Sequence, residues 1–269
     1  MKQILTASLL FFFLGAIQAQ ELSKVREGDR FHIAVGGYLV TNSETQISLT
    51  TPRLIGVSIN TARDLEMEKR TNVARIDGYY RFTPAHSLEF TWYDIRRRGN
   101  KALLRELEWD GETFPIGAQV DSQLDTEIFK LAYNYSFYHN EKVELGIGAG
   151  LHIMQITTGL AGQTTGGKVG NFSTSLTAPL PVVDARLKYW ITPRFSFRIA
   201  LDIFAMEVRE YSGTFSDLDF RLLYQFGKHV GIGGGFNTNS LSLAQDKNGY
   251  RLEVNNNIAG MTLFLTMNY

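Results

Sequence analysis

The sequence predicts an all-β fold: a closed antiparallel transmembrane β-barrel of about ten strands, with eight or twelve as the alternatives. Three observations predict it. Segments of about ten residues alternate apolar and polar side chains, tight turns alternate with longer polar connections, and the chain ends on an alternating strand that closes with an aromatic residue. Because successive side chains of a strand point to opposite faces, each segment has one apolar and one polar face.

The last strand shows the alternation most clearly. Its apolar face carries Met261, Leu263, Leu265, Met267 and Tyr269, and its mixed face carries Gly260, Thr262, Phe264, Thr266 and Asn268. Nine further segments alternate in the same way, and they begin near Phe31, Ala74, Leu88, Phe129, Val143, Val183, Phe195, Leu218 and Val230. A helix would need apolar residues three and four apart, so these segments are predicted to be strands.

The connections between the segments differ in length. Those at 83–86, 138–141, 192–194 and 227–229 are tight, those around 42–71, 97–125 and 159–179 are long and polar, and those around 207–213 and 244–257 are shorter. Transmembrane barrels have short periplasmic turns and longer extracellular loops, and this asymmetry predicts which rim faces which side. Residues 54–60 are predicted either to extend the wall above the membrane or to belong to two extra strands.

The composition excludes several classes of protein. The 269 residues include 27 basic and 27 acidic side chains, whereas a nucleic-acid-binding protein would show a basic excess. The chain has no cysteine, which excludes cysteine catalysis, thiolate metal sites and a disulfide framework. No cofactor is predicted.

The first residues indicate export. A charged start, Met1-Lys2, precedes an apolar run to Ile17, and Ala19 offers a cleavage site. The predicted organisation is a signal peptide at 1–19, a periplasmic segment at 20–27 and the barrel at 28–269. A single anchoring helix is the alternative, but the run of about 14 residues is short for a span. Later stretches also fall short of a transmembrane helix, so a chain that enters the membrane is predicted to do so as a closed barrel.

Together the signal peptide, the alternation, the loop asymmetry and the aromatic ending resemble the small outer-membrane barrel proteins of Gram-negative bacteria, broadly of OmpA and OmpW type. The resemblance covers nearly all of the mature chain. It implies an outer-membrane location, contact with outer-membrane lipid and lipopolysaccharide, and recognition of Tyr269 by the barrel-assembly machinery. A monomer is the expected oligomeric state. Because a fold does not imply a function, the resemblance concerns architecture alone.

The polar faces of the predicted strands carry a balanced set of charges. Its members are Arg75, Asp77, Arg81, Glu89, Lys130, Glu144, Asp184, Arg186, Lys188, Arg198, Asp202, Asp217, Asp219 and Arg221, seven basic and seven acidic. Buried charges are tolerated only when they are paired, so we expect an ion-pair network that closes the lumen. Lys188 and Arg198, for example, are expected near Asp217 and Asp219. A soluble β-sandwich is the alternative, and it would turn this charged face to water.

Aromatic residues concentrate at the predicted strand ends, mostly beside the tight turns. They are Tyr80, Phe82, Tyr135, Phe137, Tyr138, Tyr189, Trp190, Phe195, Tyr224, Phe226 and Tyr269. An interfacial aromatic girdle is expected at this level, and ordinary strand propensity is the alternative explanation.

Two motifs suggest chemistry only weakly. The run from Gly162 to Lys168 matches most of a phosphate-binding loop, but Val169 replaces the required hydroxyl residue and no helix pattern follows. His152 is expected to face the lumen with Asp184 or Asp202 as a neighbour, and a structural role is favoured because no serine signature accompanies it. No catalytic, cofactor-binding or metal-binding residue is therefore predicted.

A basic cluster lies where one strand leaves the outer rim. Arg96, Arg97 and Arg98 are candidates for contact with lipopolysaccharide phosphates, which guanidinium groups bind bidentately. A solvated loop balanced by nearby carboxylates is the alternative.

The leading functional prediction is a non-enzymatic outer-membrane protein of structural, adhesive or narrow-passage type. Ten strands leave little lumen once fourteen charged side chains point inward, so a wide diffusion pore is not expected. A small selective channel or a carrier of a small amphipathic molecule is the alternative. A barrel hydrolase of lipid or peptide bonds is the third class.

Overall fold

The computed structural model describes residues 30–50, 57–104, 106–109, 112–167, 169–247 and 250–269. The predicted segments 1–19 and 20–27 lie outside these residues. The elements are β1 (Phe31–Thr50), β2 (Val57–Asn60), α1 (Thr61–Asp64), β3 (Thr71–Thr83), β4 (His86–Ala102), β5 (Leu107–Trp109), β6 (Glu112–Phe114), β7 (Gln119–His139), β8 (Val143–Gln163), β9 (Val169–Trp190), β10 (Phe195–Val208), β11 (Tyr211–Gln225), β12 (Val230–Lys247) and β13 (Tyr250–Asn268). No helix among the described residues is long and apolar enough to cross a membrane.

Ten of the strands form one closed antiparallel barrel, which confirms the predicted fold class and the preferred strand number. The wall runs β1, β3, β4 and then β7 to β13 in order, and β13 pairs back onto β1. At the seam, the backbones of Phe31 and Tyr269 exchange hydrogen bonds of 2.7 and 2.8 Å. Closure satisfies every strand edge at this level, which a membrane-spanning sheet requires.

Tight turns join the strands at one rim, and polar side chains organise two of them. The amide oxygen of Asn140 accepts hydrogen bonds from the backbone nitrogens of Lys142 and Val143, both at 2.8 Å. The Thr192 hydroxyl accepts from the backbone nitrogen of Phe195 at 3.0 Å, beside Pro193. These local bonds replace ladder bonds where the chain reverses. Transmembrane barrels carry their short turns on the periplasmic side, so we expect this rim to be the periplasmic one.

The strands are longer than a membrane crossing requires. β7, β8 and β9 have 21, 21 and 22 residues, whereas about 9–11 residues span a membrane. The described residues of the stretches around 42–71, 97–125 and 159–179, which were predicted as long loops, are therefore mostly in strands. That prediction was wrong because the outward side chains of these stretches are polar, which makes the sequence read as a loop.

The wall consequently has two parts. We call the part near the tight turns the membrane half, which on β7 covers 129–139, and the part beyond it the outer half, which on β7 covers 119–128. Outward positions of the membrane half on β7 are apolar, such as Leu131, whereas those of the outer half are polar, such as Gln123 and Asp125. Inward positions show the reverse, with Lys130 buried in the membrane half and Leu124 in the outer half.

The apolar core lies inside the outer half. We call it the outer plug. Its buried members are Tyr38, Val40, Ile59, Leu65, Met67, Tyr93, Ile95, Leu103, Leu107, Phe114, Val120, Leu124, Ile128, Met154, Ile156, Leu160, Leu180, Val182, Phe215, Leu241 and Ile258. Burial of this much apolar surface stabilises the part of the barrel that water surrounds.

The segment 57–70 completes the wall where β3 is short. β2 pairs with residues 46–49 of β1, and the following residues contact β4, where the backbone nitrogen of Glu68 donates to the Arg98 carbonyl at 3.1 Å. The same segment inserts Leu65 and Met67 into the outer plug. Of the two predictions for residues 54–60, the described part at 57–60 therefore matches an extension of the wall above the membrane.

Candidate functional site: the charged barrel interior

The interior of the membrane half brings together the charged side chains of seven strands. The structure places all fourteen predicted members on the inner face, namely Arg75, Asp77, Arg81, Glu89, Lys130, Glu144, Asp184, Arg186, Lys188, Arg198, Asp202, Asp217, Asp219 and Arg221. Opposite charges two residues apart on one strand account for much of this arrangement, because such residues share a face. The pairs Arg75–Asp77, Asp184–Arg186 and Asp219–Arg221 are of this kind.

A four-membered ion network lies at the centre. The Arg221 guanidinium lies 2.8 Å from the Asp77 carboxylate and 2.6 Å from that of Asp219. Arg75 lies 3.1 Å from Asp77 and 3.2 Å from Asp219. Each arginine therefore contacts both carboxylates, and the four charges cancel. The Arg75 guanidinium also lies 5.0 Å from the ring centroid of Tyr93, where the network meets the outer plug.

A second group links five strands across the interior. The Lys130 ammonium lies 2.7 Å from the Asp217 carboxylate and 3.9 Å from that of Asp202. Nε2 of His152 lies 3.1 Å from Asp202, which is one of the two neighbours expected for this histidine. Asn237 donates a hydrogen bond of 3.0 Å to Asp217. His152 is 2% exposed, so this group is sealed from solvent.

A third group lies nearer the tight turns. The Glu89 carboxylate contacts both the Arg186 and the Arg198 guanidinium groups, the latter at 2.5 Å. Arg186 also lies 2.9 Å from Asp184. A glycine makes room for this group, since a Cβ at Gly148 would lie 2.4 Å from the Asp184 carboxylate.

The same region contains a separate pair. The Arg81 guanidinium lies 2.7 Å from the Glu144 carboxylate, which also accepts a hydrogen bond of 2.5 Å from the Ser136 hydroxyl. A second nitrogen of Arg81 donates to the Pro84 carbonyl at 2.9 Å. The pair therefore ties the β3–β4 turn to β8.

The ion-pair partner of Arg198 differs from the expected ones. Arg198 contacts Glu89, and the Lys188 ammonium lies 4.6 Å from the ring centroid of Trp190. Trp190, predicted for the aromatic girdle, is instead 7% exposed and stacks on His139 inside the barrel. Strand alternation puts residues 188 and 190 on the same inner face. The girdle prediction grouped the aromatic residues by their position at strand ends and did not take this alternation into account.

The basic cluster at the outer rim divides between two faces. Arg97 is 1% exposed and donates to the Ser43 carbonyl at 2.8 Å and the Thr45 hydroxyl at 2.6 Å. Its prediction as a lipopolysaccharide contact is therefore wrong, because the alternation that turns Arg96 and Arg98 outward turns Arg97 inward. Arg96 and Arg98 lie on the outer surface, paired with Asp94 and Asp125 respectively.

Other predicted positions have simple surroundings. Tyr269 is 77% exposed at the end of the wall and stacks near His229. The phosphate-loop-like run begins at Gly162 in β8, and Val169 starts β9, so the described part of the motif is a strand connection. Lys168 lies outside the described residues. Within those residues no group of three or more His, Asp or Glu side chains could hold a metal ion.

No protein-family model and no curated protein matches the sequence. Among solved structures, the outer membrane protease OmpT from Escherichia coli superposes with a TM-score of 0.60 at 10% identity, over 93% of this chain and 100% of that chain. The toluene transporter TodX of Pseudomonas putida gives a TM-score of 0.37 at 7% identity, over 90% of each chain. Ail, the attachment invasion locus protein of Yersinia pestis, gives 0.29 at 11% identity, over 87% of this chain and 99% of that one.

The likeness to OmpT shows that the chain has the fold of an outer-membrane β-barrel protein, as its sequence predicts. An identity of 10% concerns the fold alone. The superpositions on TodX and Ail score too low to support an argument about either.

Proposed function

We propose that the protein is a non-enzymatic barrel of the cell outer membrane, of structural or adhesive type, whose lumen is closed. The observation that carries this proposal is that described residues fill the interior at two successive levels. In the membrane half the filling is ionic, and in the outer half it is the apolar outer plug.

The two fillings resist permeation for different reasons. A solute or ion that passes the central network has to separate Arg75, Asp77, Asp219 and Arg221, and breaking a buried pair costs about 3–5 kcal/mol. A polar solute in the outer plug would lose its hydration among apolar side chains, with no hydrogen bonds in return.

The outward surface of the outer half suits contact with partners outside the cell. It stands beyond the apolar band and presents polar residues such as Gln123, Gln155 and Ser240 on a rigid wall. A rigid, polar surface loses little conformational entropy on binding. This supports an adhesive or structural role over a transport role.

Planar-bilayer recording of the refolded full chain tests the closed lumen. We expect no steady single-channel conductance, while unboiled protein migrates differently from boiled protein on a gel and so demonstrates a folded barrel. A diffusion porin inserted into the same bilayers is the positive control. Steady conductance steps from protein that passes the gel test would contradict the proposal.

A hydrolase is the class we place lowest, although OmpT is a protease. His152 and Asp202 form a carboxylate–histidine pair, but His152 is 2% exposed between the ionic network and the outer plug, where a lipid or peptide bond has no access. We expect no turnover of phospholipid vesicles or peptides above that of the His152→Ala variant. Turnover that this substitution abolishes would establish the hydrolase.

One observation favours a second candidate, a carrier of a small apolar molecule. The ladder between β9 and β10 ends at Val183 and Ile203, so residues 169–182 of β9 have no partner on the β10 side within the described chain. Pro179 and Pro181 lie in this stretch, and proline is confined to strand edges because it lacks an N–H group. Unlike the short β3, this edge is not covered by another described segment.

The β9 edge borders apolar side chains on both sides. Val183 and Ile203 face outward just below it, and Phe204 packs against the outer plug just inside it. Leu176, further along the edge, is 51% exposed. An apolar molecule could therefore pass from the membrane towards the plug without crossing the ionic network.

Binding of N-phenyl-1-naphthylamine, a fluorescent apolar probe, tests the carrier. The candidate predicts that refolded protein enhances the fluorescence of the probe and that Leu176→Arg reduces the enhancement. Leu252→Arg, at a leucine of β13 that is 41% exposed, is the matched control and should change nothing. Equal enhancement by all three proteins would remove the candidate.

A further inference from the structure

The membrane half contains a cavity that opens towards the tight turns, which we call the periplasmic basin. Its volume is about 80 Å³, room for about five water molecules. Ser87 and Ser196, each within a few residues of a tight turn, line it together with Arg198, whose side chain is 25% exposed. A solute in the periplasm can therefore reach the charged side chains.

The basin is strongly asymmetric in charge. Five basic side chains line it, namely Arg81, Arg186, Lys188, Arg198 and Arg221, against two acidic ones, Glu89 and Glu144. The next cavity inward, of about 50 Å³, is balanced, with five basic and five acidic side chains. Arg186 also pairs with Asp184, and Arg221 pairs with Asp219. Neither of these two aspartates lines the basin. The positive end of the interior thus faces the periplasm, and the low-dielectric walls focus its field.

The cations of the basin are held in place before any ligand arrives. One carboxylate, Glu89, contacts the guanidinium groups of both Arg186 and Arg198 and so holds them side by side. The Lys188 ammonium lies 4.6 Å from the ring centroid of Trp190 and 5.8 Å from that of Tyr79. Aromatic rings attract a cation and so help to fix its position. Little side-chain entropy is therefore lost when an anion binds.

The remaining lining supplies neutral donors of the kind that oxyanions use. The hydroxyl groups of Ser87 and Ser196 and the amide of Asn134 line the same cavity as the guanidinium groups. Paired guanidinium forks match the oxygens of a phosphate group in geometry as well as charge. The small volume of the cavity admits one phosphate group. Any larger substituent on that phosphate would remain at the opening of the cavity, near the tight turns.

We propose that the periplasmic basin binds a phosphate-type oxyanion that is free in the periplasm, either inorganic phosphate or a small phosphate monoester. This site is independent of whether the lumen conducts, since it lies on the periplasmic side of the central ion network. It requires only that the barrel is folded and that the rim with the tight turns faces the periplasm.

Equilibrium dialysis of the refolded full chain against radiolabelled inorganic phosphate tests the site. We expect one saturable site, and we expect Lys188→Gln and Arg198→Gln each to raise its Kd about tenfold or more, because a lost hydrogen bond to a charged group changes binding on that scale. Arg96→Gln removes an exposed arginine from the outer surface and should leave the Kd unchanged. Heat-modifiable gel migration confirms that each variant is folded.

Two results would overturn the proposal. One is the absence of saturable phosphate binding at millimolar concentration; the other is a Kd that neither basin substitution changes in folded protein. A competition arm identifies the source of the phosphate group. Bicelles that contain phosphatidylglycerol should leave phosphate binding unchanged, and displacement by them would assign the site to a lipid headgroup and contradict the proposal of a free anion.

Discussion

The membrane half and the outer half of the barrel share the same alternation and most of the same strands, the segment 57–70 taking the place of β3 in the outer half, but they bury opposite chemistry. On β7, Lys130 is buried and Leu131 exposed in the membrane half, whereas Leu124 is buried and Asp125 faces outward in the outer half. The strand keeps its parity across the boundary near residues 128 and 129. What changes is the surroundings of the wall, from hydrocarbon to water.

The comparison shows that periodicity identifies a strand while the chemistry of its outer face identifies the solvent. In hydrocarbon the outward face must be apolar, and the charged interior is stable only because its charges are paired. In water the outward face is polar, and the interior is stabilised by the hydrophobic effect, as in a soluble protein. Four predictions test this difference between the two halves, and they are given from the largest expected effect to the smallest.

Asp77→Ala should have the largest effect, because it leaves Arg75 and Arg221 to share a single carboxylate in the interior of the membrane half. Breaking a buried pair of this kind costs about 3–5 kcal/mol. Urea unfolding of the refolded barrel in lipid, followed by tryptophan fluorescence, measures the loss.

The control for this substitution is Asp94→Ala, which removes an ion pair with Arg96, whose side chain is 70% exposed. Exposed pairs contribute about 0–1 kcal/mol. Equal losses for the two variants would show that the interior charges are hydrated rather than enclosed.

Leu124→Ala tests the outer plug in the same way. Leu124 is 1% exposed, and truncation of a buried leucine to alanine costs about 2–5 kcal/mol because it leaves a cavity. Its neighbour Gln123 faces outward, so Gln123→Ala should change the free energy of unfolding by no more than about 0.5 kcal/mol. A small effect of Leu124→Ala would mean that the plug is loosely packed.

A pair of arginine substitutions on one face of β7 tests the boundary between the halves. Leu131→Arg should destabilise the barrel by about 2–4 kcal/mol, because it places a charge in hydrocarbon. Gln123→Arg lies eight residues away on the same outward face, as the numbering shows, and should be nearly neutral. Similar costs at both positions, measured by urea unfolding in the same lipid, would place the boundary elsewhere.

The smallest effect on stability is expected for the outward arginines, where we propose lipopolysaccharide contact. Arg96 and Arg98 lie just beyond Trp92, whose indole donates to Glu127 at 2.8 Å on the outer surface, at the level expected for headgroup phosphates. Arg96→Ala with Arg98→Ala should reduce the lipopolysaccharide that co-purifies with the protein. Arg251→Ala, which removes an exposed arginine of β13, is the control, and unchanged co-purification would remove the idea.

Sequence reasoning recovered the membrane half well and the outer half poorly, for a physical reason. Apolar residues at every second position, such as Leu131 and Leu151, are visible because hydrocarbon requires them on each crossing. In the outer half the outward positions hold any polar residue and the inward ones include Ser122 and Thr126 beside Leu124, so the alternation weakens into an apparent loop.

The charged interior was predictable as a set but not as a pattern of contacts. Alternation alone puts Arg198 inside, whereas its contact with Glu89 depends on how strands distant in sequence meet across the barrel. Arg97 shows the opposite failure, since its neighbours in sequence suggested a surface cluster while its parity already assigned it to the interior. The periplasmic basin was missed because its lining comes from many strands.

The central claim is that hydrocarbon surrounds the membrane half and water surrounds the outer half. Single-cysteine labelling along β7 tests it most directly, because the chain has no cysteine of its own that would react. In lipid vesicles, cysteines at positions 121, 123 and 125 should react with a water-soluble maleimide, and fluorophores at 129, 131 and 133 should be quenched by nitroxide-labelled lipid. Cysteines at 124 and 128 should resist both reagents. Rapid aqueous labelling at 131, or lipid quenching at 123, would contradict the account, because the two halves would then not differ in what surrounds them.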